Sequence, residues 1–217
     1  AYSIDLNKKD IIVKAAKGAN PVIALTGEWT SLELTQSTMF DSIAFDGTGV
    51  ALYPISMAEA QTGTYIFNNC EFKNWAYWAV SNHYAGSSHV DSVIISNCLF
   101  HDGLGSAVYF NDAAPDGQHS CQYFKMTNTT LYNIVSSQYC AVIQVNSRGE
   151  STGSQNEVII DHITLYNYNS KDLGAISMRK SSNLKISNSI VVNPTNLDQP
   201  AFYIYGGTVT NTLYLNG

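Results

Sequence analysis

The chain repeats a short phrase in which an apolar residue stands two positions before a polar slot, and another stands three positions after it. The slot is most often asparagine, and its seven positions are Ser42, Asn69, Asn97, Asn128, His162, Asn188 and Asn211. The residues three positions later are all large and apolar: Phe45, Phe72, Phe100, Leu131, Leu165, Val191 and Tyr214. Consecutive slots lie 23 to 34 residues apart, which indicates a structural repeat whose loops vary in length.

A second set of segments lies between these phrases and alternates apolar with polar residues. Its members are 78–82, 107–111, 141–146, 175–180 and 201–205. A period of two is typical of strands, whereas no stretch shows the 3.6-residue period of an amphipathic helix. We therefore predict an all-β chain with very little helix.

Short strands in a variable repeat favour a solenoid, in which each coil stacks on the one before it. Leucine-rich repeats would need leucine at fixed offsets, and propeller blades would need about four strands in every ~40 residues. A parallel β-helix of about seven rungs, formed as one domain by residues 1–217, fits better. Asparagines stacked at the ~4.8 Å strand spacing can hydrogen-bond from rung to rung, so the slot needs no functional explanation.

Alternation divides the second set of strands into inward and outward positions. The predicted inward residues are Trp78, Val108, Ile143, Ile176 and Phe202, followed two positions later by Val80, Phe110, Val145, Met178 and Ile204. The first outward column is Ala79, Tyr109, Gln144, Ser177 and Tyr203, and the second is Ser81, Asn111, Asn146, Arg179 and Tyr205. Aromatic faces beside amides and a guanidinium suit the rings and hydroxyls of sugars.

Long loops flank these strands, and we expect them to wall a groove over the outward columns. Trp75, Tyr77, Tyr84 and Tyr168 are the aromatic residues expected at its rim. The predicted ligand site therefore combines the outward Tyr109, Asn111, Gln144, Asn146, Arg179, Tyr203 and Tyr205 with the rim residues Trp75, Tyr77 and Tyr84. The simpler interpretation is that tyrosine favours strands and decorates sheet faces without any ligand.

Composition narrows the class of partner. Charged residues make up 13% of the 217 residues, the net charge is −6, and the only arginines are Arg148 and Arg179. So few cations argue against nucleic-acid binding and against anionic membranes. No apolar run approaches the ~20 residues of a membrane span. The 14 tyrosines and 3 tryptophans favour an uncharged, hydroxyl-rich ligand.

The laddered rungs and the opening YSIDLNKKDIIVKAAKGANPVIAL resemble the right-handed parallel β-helices of the pectate-lyase-like superfamily. More narrowly, the chain resembles carbohydrate-binding module family 89 in its size, its aromatic content and the form of its two ends. The members of that family are β-helical modules found in the same proteins as xylanases. This resemblance implies a secreted, monomeric, non-catalytic module of a gut bacterium that binds xylan and needs no cofactor. Neither a signal peptide nor a final cap is recognisable at the ends, so we expect the chain to be excised from a larger secreted protein.

A calcium-dependent polysaccharide lyase acting on an acidic glycan is the alternative function. Arg148, Arg179 and Lys180 lie near the ends of consecutive strands, where such lyases place their cations. Asp161 and His162 resemble a pectate-lyase phrase, but His162 occupies the repeat slot, which favours a turn role. Galacturonan hydrolases of this fold carry Gly-His-Gly and Arg-x-Lys, which are absent. The isolated Asp102, Asp112 and Asp116 are expected to be turn residues.

The four cysteines lack the spacing of a zinc site, and we predict no metal ligands. Cys70 and Cys98 share one column on adjacent rungs, which favours stacked, buried thiols over a disulfide. Cys121 and Cys140 flank the strand and turn of one rung. The sequence is compatible there with either a disulfide bond or two free thiols.

Overall fold

The computed structural model describes residues 10–28, 32–34, 37–57, 61–82, 90–110, 121–136, 140–145, 156–170, 173–178, 183–193, 201–204, 208–210 and 212–216. Within these ranges the chain contains strands and turns but no helix, and therefore no helix that could span a membrane. All strand pairs recorded among them are parallel, and they join strands of successive coils. The protein is thus a parallel β-helix, which confirms the predicted all-β solenoid class.

Each coil runs through three strand positions, which form three faces. The first face holds β1 (Ile11–Lys14), β4 (Thr38–Asp41), β7 (Gln61–Asn68), β10 (Val90–Ser96), the first part of β13 (Cys121–Ser136) and of β15 (Glu157–Ser170), β17 (Asn183–Ser187) and β20 (Thr208–Thr210). The second face holds β2 (Val22–Ala24), β5 (Ala44–Asp46), β8 (Glu71–Lys73), β11 (Leu99–Gly103), the later parts of β13 and β15, β18 (Ile190–Asn193) and β21 (Leu213–Asn216).

The third face is a separate sheet of seven strands. Its members are β3 (Leu32–Glu33), β6 (Ile55–Met57), β9 (Trp78–Asn82), β12 (Ser106–Phe110), β14 (Ile143–Val145), β16 (Ile176–Met178) and β19 (Phe202–Ile204). These strands correspond to the alternating segments of the sequence. The repeated phrase instead forms the corner between the first two faces.

The polar slot provides that first corner because it takes the left-handed backbone conformation. Ser42, Asn69, Asn97, Asn128, His162 and Asn188 have φ between 48° and 62°. Asparagine tolerates this region better than most residues. The side-chain amides then link neighbouring coils: Asn97 donates to Asn68 at 2.9 Å, and Asn188 donates to Asp161 at 2.8 Å. The predicted ladder is present, although these two bonds reach the residue before the slot.

Asp41 begins this first ladder and is its most tightly held carboxylate. Lys14 lies 2.9 Å from one of its oxygens, and Asn69 donates to the other at 3.1 Å. The hydrogen bonds from Lys14 and then Asn69 lower the pKa of Asp41 to about 2. The carboxylate therefore stays ionised at the corner across the whole range of ordinary pH.

A second corner, which the sequence analysis did not predict, lies between the second and third faces. Its left-handed residues are Thr48, Asn74, Asp102, Asn133 and Asn167. Asn74 donates to Asp46 at 3.0 Å, and Asn133 donates to Asp102 at 3.0 Å. Among the described residues, five coils have a left-handed residue at both corners, compared with the about seven rungs predicted.

The core is a column of stacked side chains inside the coil. Phe45, Phe72 and Phe100 are the apolar residues three positions after the slot, and their rings stack at 4.9 and 4.4 Å between centroids. All three are buried. Each such pair contributes about 0.5–1.5 kcal/mol beyond the area that it buries. The repeated phrase therefore encodes both the corner and the packing beneath it.

The free, buried cysteines extend this core. The backbone N–H of Cys70 donates to Sγ of Cys98 at 3.4 Å, so these thiols are stacked on adjacent coils as predicted. Cys121 and Cys140 are also free thiols, which resolves the alternative left open for them. Burial raises the pKa of both.

Candidate functional site

The outward column of the third face differs from the prediction at its first member. Tyr109 aligns with Ser81 on one side and with Gln144 on the other. The observed column is Ser56, Ser81, Tyr109, Gln144, Ser177 and Tyr203. Ala79, the predicted first member, is instead buried in the core. The prediction was therefore shifted by two residues on β9 and correct on the other four strands.

Most of this outward column is not exposed, which corrects the predicted binding face. Gln144 is only 2% exposed, and its side-chain oxygen accepts a hydrogen bond from the backbone N–H of Ala141 at 3.2 Å. Ser81 and Ser177 are buried as well. Gln144 is therefore a structural residue that binds the segment before its own strand. Tyr109 is half-buried, and Tyr203 is 36% exposed.

Two of the predicted rim residues are core residues. Trp75 is fully buried and packs edge-on against Phe100, with 6.2 Å between ring centroids. Tyr168 is buried too. Both predictions were wrong because each residue directly follows a left-handed corner residue, Asn74 or Asn167, and the chain turns inward there. Tyr77 is half-buried and remains available at the surface.

Several predicted residues lie outside the described part of the chain. These are Asn111, Asn146, Arg179, Tyr205 and Tyr84 of the site, Asp112 and Asp116 of the loops, and Arg148 and Lys180 of the lyase alternative. Their roles stay predictions. Asp102 and His162 are described, and both occupy corners with φ near 55°, as the turn interpretation predicted.

One group of rings gathers outside the coil where the chain enters the third face. We call Tyr53, Tyr77, Trp78 and Tyr109 the aromatic cluster. Trp78 stacks on Tyr109 with 3.7 Å between ring centroids and an interplanar angle of 6°. Tyr77 and Tyr53 pack against the same indole at 4.5 and 5.1 Å. Trp78 is 2% exposed, whereas the three tyrosines around it are half-buried.

Local backbone geometry explains why Trp78 lies outside instead of inside. Ala79 and Val80 both belong to the core, so alternation is interrupted at the start of β9. Val80 therefore takes the inward position that was predicted for Trp78, and it aligns with Val108. Gly105 faces Tyr77 across this corner with φ +120°, and a Cβ there would lie 1.8 Å from the Tyr77 carbonyl oxygen. Only glycine allows this close approach.

A second group of rings lies on the second face, and the sequence analysis missed it. We call His101, Tyr132 and Tyr166 the ring stripe, because register places them side by side on β11, β13 and β15. Their centroids are 5.0 and 5.3 Å apart, and neighbouring planes are within 9° of parallel. Each follows directly after the large apolar residue of the repeat. That fixed offset is the signal that could have revealed it.

Charged groups surround the His101 end of the ring stripe. Nε2 of His101 lies 2.8 Å from Glu71, and Nδ1 lies 2.7 Å from Asp102. Lys73 stands 3.8 Å from Glu71 and 4.0 Å from Asp46. Hydrogen bonds from His101 and then Asn133 lower the pKa of Asp102. Three carboxylates, those of Asp46, Glu71 and Asp102, therefore lie around one ammonium group and one imidazole at this end of the stripe.

An open cleft of about 390 Å³ adjoins these charges. It is lined by Asn20, Pro21, Val22, Ser42, Ile43, Ala44, Asn69, Glu71 and Lys73. The volume is at the lower end of the range of small-molecule sites, about 300–1,000 Å³. Among the residues described, no three His, Cys, Asp or Glu side chains are grouped to hold a metal ion.

The sequence matches no protein-family model, and a search of curated proteins finds no similar sequence. The parallel β-helix itself is consistent with the pectate-lyase-like resemblance.

Proposed function

We propose that this protein is a secreted, non-catalytic carbohydrate-binding module, and that the aromatic cluster contacts a neutral plant cell-wall polysaccharide. The observation that carries the proposal is the packing of three half-buried tyrosines around the buried Trp78. Rings held in place before binding lose little conformational entropy when a ligand arrives. Aromatic faces with hydroxyl groups suit sugar rings, and Tyr203 at the far end of the outward column can extend the contact.

The proposed ligand is uncharged because the protein has a net charge of −6 and few cations to hold a polyanion. Xylan is our first choice within this class, and the resemblance to carbohydrate-binding module family 89 is its only support. The same resemblance supports a monomeric module joined to a catalytic domain. Binding that depends on stacking and hydroxyl contacts should change little with salt concentration.

Affinity electrophoresis in gels containing soluble xylan tests this proposal. We expect xylan to retard the wild-type protein, and Tyr109→Ala to bind roughly fivefold more weakly, the scale of one aromatic contact. Tyr123→Ala is the matched control, because Tyr123 is a half-buried outward tyrosine on the first face. Tyr109→Phe should retain most of the affinity, since it keeps the ring.

Equal retardation of Tyr109→Ala and the wild type would contradict binding at the aromatic cluster. The enzymatic alternative is tested with the same protein, by incubation with alginate, pectate or chondroitin and calcium. A rise in ultraviolet absorbance from an unsaturated product would replace the proposal by a polysaccharide lyase.

A further inference from the structure

We infer that a second glycan-binding site lies on the second face, formed by the cleft beside Val22 together with the ring stripe. Its ligand is a segment of a neutral, β-linked polysaccharide. This site shares no residue with the aromatic cluster, and either can exist without the other. The inference therefore goes beyond the proposed function and does not rest on it.

The cleft offers a sugar both apolar contact and hydrogen-bonding groups. Pro21, Val22 and Ala44 form its apolar part, and Val22 is 53% exposed. Asn20, Ser42 and Asn69 contribute amides and a hydroxyl. An exposed apolar side chain within a polar rim is typical of a surface that binds a ligand of mixed character. Pyranose rings have this character, with apolar C–H faces and polar edges.

The charged groups at the cleft favour a neutral ligand. Glu71 and Lys73 line it and lie 3.8 Å apart, while His101 fixes Glu71 from the other side at 2.8 Å. Ionised groups form shorter and stronger hydrogen bonds to hydroxyls than neutral groups do. Because the lining of the cleft carries one carboxylate and one ammonium group, a charged polymer would meet repulsion as well as attraction. A hydroxyl-rich neutral chain meets only donors and acceptors.

The ring stripe continues from the cleft along the same face. Lys73 aligns with His101, His101 with Tyr132, and Tyr132 with Tyr166. Neighbouring strands are about 4.8 Å apart, a distance close to the rise of one sugar in an extended β-linked chain. A chain leaving the cleft across the strands would therefore meet one side chain of this column per sugar.

The two tyrosines of the ring stripe are accessible to a ligand, whereas His101 is buried. The ring centroids of the stripe lie 5.0 and 5.3 Å apart, close to the ~4.8 Å spacing of the strands that carry them. Tyr132, in the middle of the stripe, is half-buried. Trp78 and Tyr109, with centroids at 3.7 Å, overlap almost completely by comparison. Tyr166 at the open end of the stripe is 39% exposed.

The test uses the full chain and affinity electrophoresis in gels of xylan, mixed-linkage β-glucan and glucomannan. We expect at least one of these neutral glycans to bind roughly fivefold more weakly to Tyr166→Ala than to the wild type. A second variant, Val22→Phe, removes no buried contact and fills the cleft, and it should weaken binding to the same glycan. Tyr123→Ala again serves as the control, and melting curves confirm that each variant is folded.

The two proposed sites are separated by comparing Tyr166→Ala with Tyr109→Ala. Weaker binding only in Tyr166→Ala and Val22→Phe supports the second site and contradicts the proposed function. Weaker binding only in Tyr109→Ala overturns the second site. The inference is also overturned if the wild type binds none of the three neutral glycans, or if it binds only an acidic one.

Discussion

The aromatic cluster and the ring stripe both lie on the outer surface of the β-helix, but their rings are arranged differently. The stripe takes one residue from the same position of successive coils, and its planes are parallel within 9°. The aromatic cluster combines residues from different positions, and Tyr53 and Tyr77 tilt against Trp78 by 48° and 35°. Repetition alone therefore produces the stripe, whereas the cluster requires a local departure from repetition.

This difference ties the aromatic cluster more closely to folding than the ring stripe. The aromatic cluster depends on a buried indole and a tight glycine corner, so its rings are part of the packing that holds β9 and β12 together. The stripe lies on a completed sheet, and its tyrosines can change without opening the core. We expect substitutions in the cluster to lower stability as well as binding, and substitutions in the stripe to lower binding with little effect on stability.

The largest expected effect follows from removing the centre of the aromatic cluster. Trp78→Ala should lower the free energy of unfolding by about 3–5 kcal/mol, the usual cost of deleting a buried tryptophan. Tyr132→Ala in the stripe should cost about 1 kcal/mol, because it loses only surface stacking. Urea unfolding followed by circular dichroism measures both. Equal losses in the two variants would remove the distinction between the two surfaces.

A smaller effect is expected at the glycine beside the aromatic cluster. Gly105→Ala combines a left-handed backbone with a Cβ 1.8 Å from the carbonyl oxygen of Tyr77, and should cost about 2–3 kcal/mol. Gly18→Ala is the matched control, because its φ is +78° but no atom lies within 4 Å of the added Cβ. It should cost about 1 kcal/mol from backbone strain alone. Melting curves of both variants show whether the close contact with Tyr77 matters.

The smallest effect concerns the charged end of the ring stripe. Because the folded pKa of Asp102 is lowered, its contribution to stability is complete above the unfolded pKa and is lost as the pH falls through the folded value. Asp102→Asn should therefore be slightly less stable than the wild type at pH 7, and this gap should close from about pH 4 downward. Asp102 is substantially exposed, so the gap at pH 7 should be small.

Melting temperatures of the wild type and Asp102→Asn between pH 2.5 and 7 test this dependence. A gap that stays constant over the whole range would show that the charge of Asp102 does not contribute through His101. The aromatic cluster provides the internal comparison, because Tyr109→Phe removes no group that titrates below pH 7. Its difference from the wild type should not change with pH.

The sequence was sufficient to predict the class of fold because one phrase encodes both the first corner and its core residue. Asn97 and Phe100, for example, lie where their positions in the phrase predict. The second corner was missed although it follows the first by five residues in four coils, as Asn69 and Asn74 illustrate. A fixed offset of five residues between two left-handed residues, most often asparagine, is therefore a second signal of this fold.

The binding face was less predictable because alternation shows which side of a strand a residue takes, but not what covers that side. Gln144 is outward, as predicted, yet it is buried and accepts a hydrogen bond from the backbone N–H of Ala141. Trp78 was misplaced because two consecutive residues, Ala79 and Val80, turn inward at a corner. Both errors arise at the starts of strands, where the turn that precedes the strand decides the local structure and an alternating pattern does not show it.

The buried thiols give this protein a built-in means of following how the solenoid comes apart. Cys70, Cys98 and Cys121 lie on three successive coils, and all three are free and buried. A thiol reagent can reach each one only when the surrounding coil opens. Labelling rates measured separately at the three sites would therefore show whether the coils open together or one after another from an end.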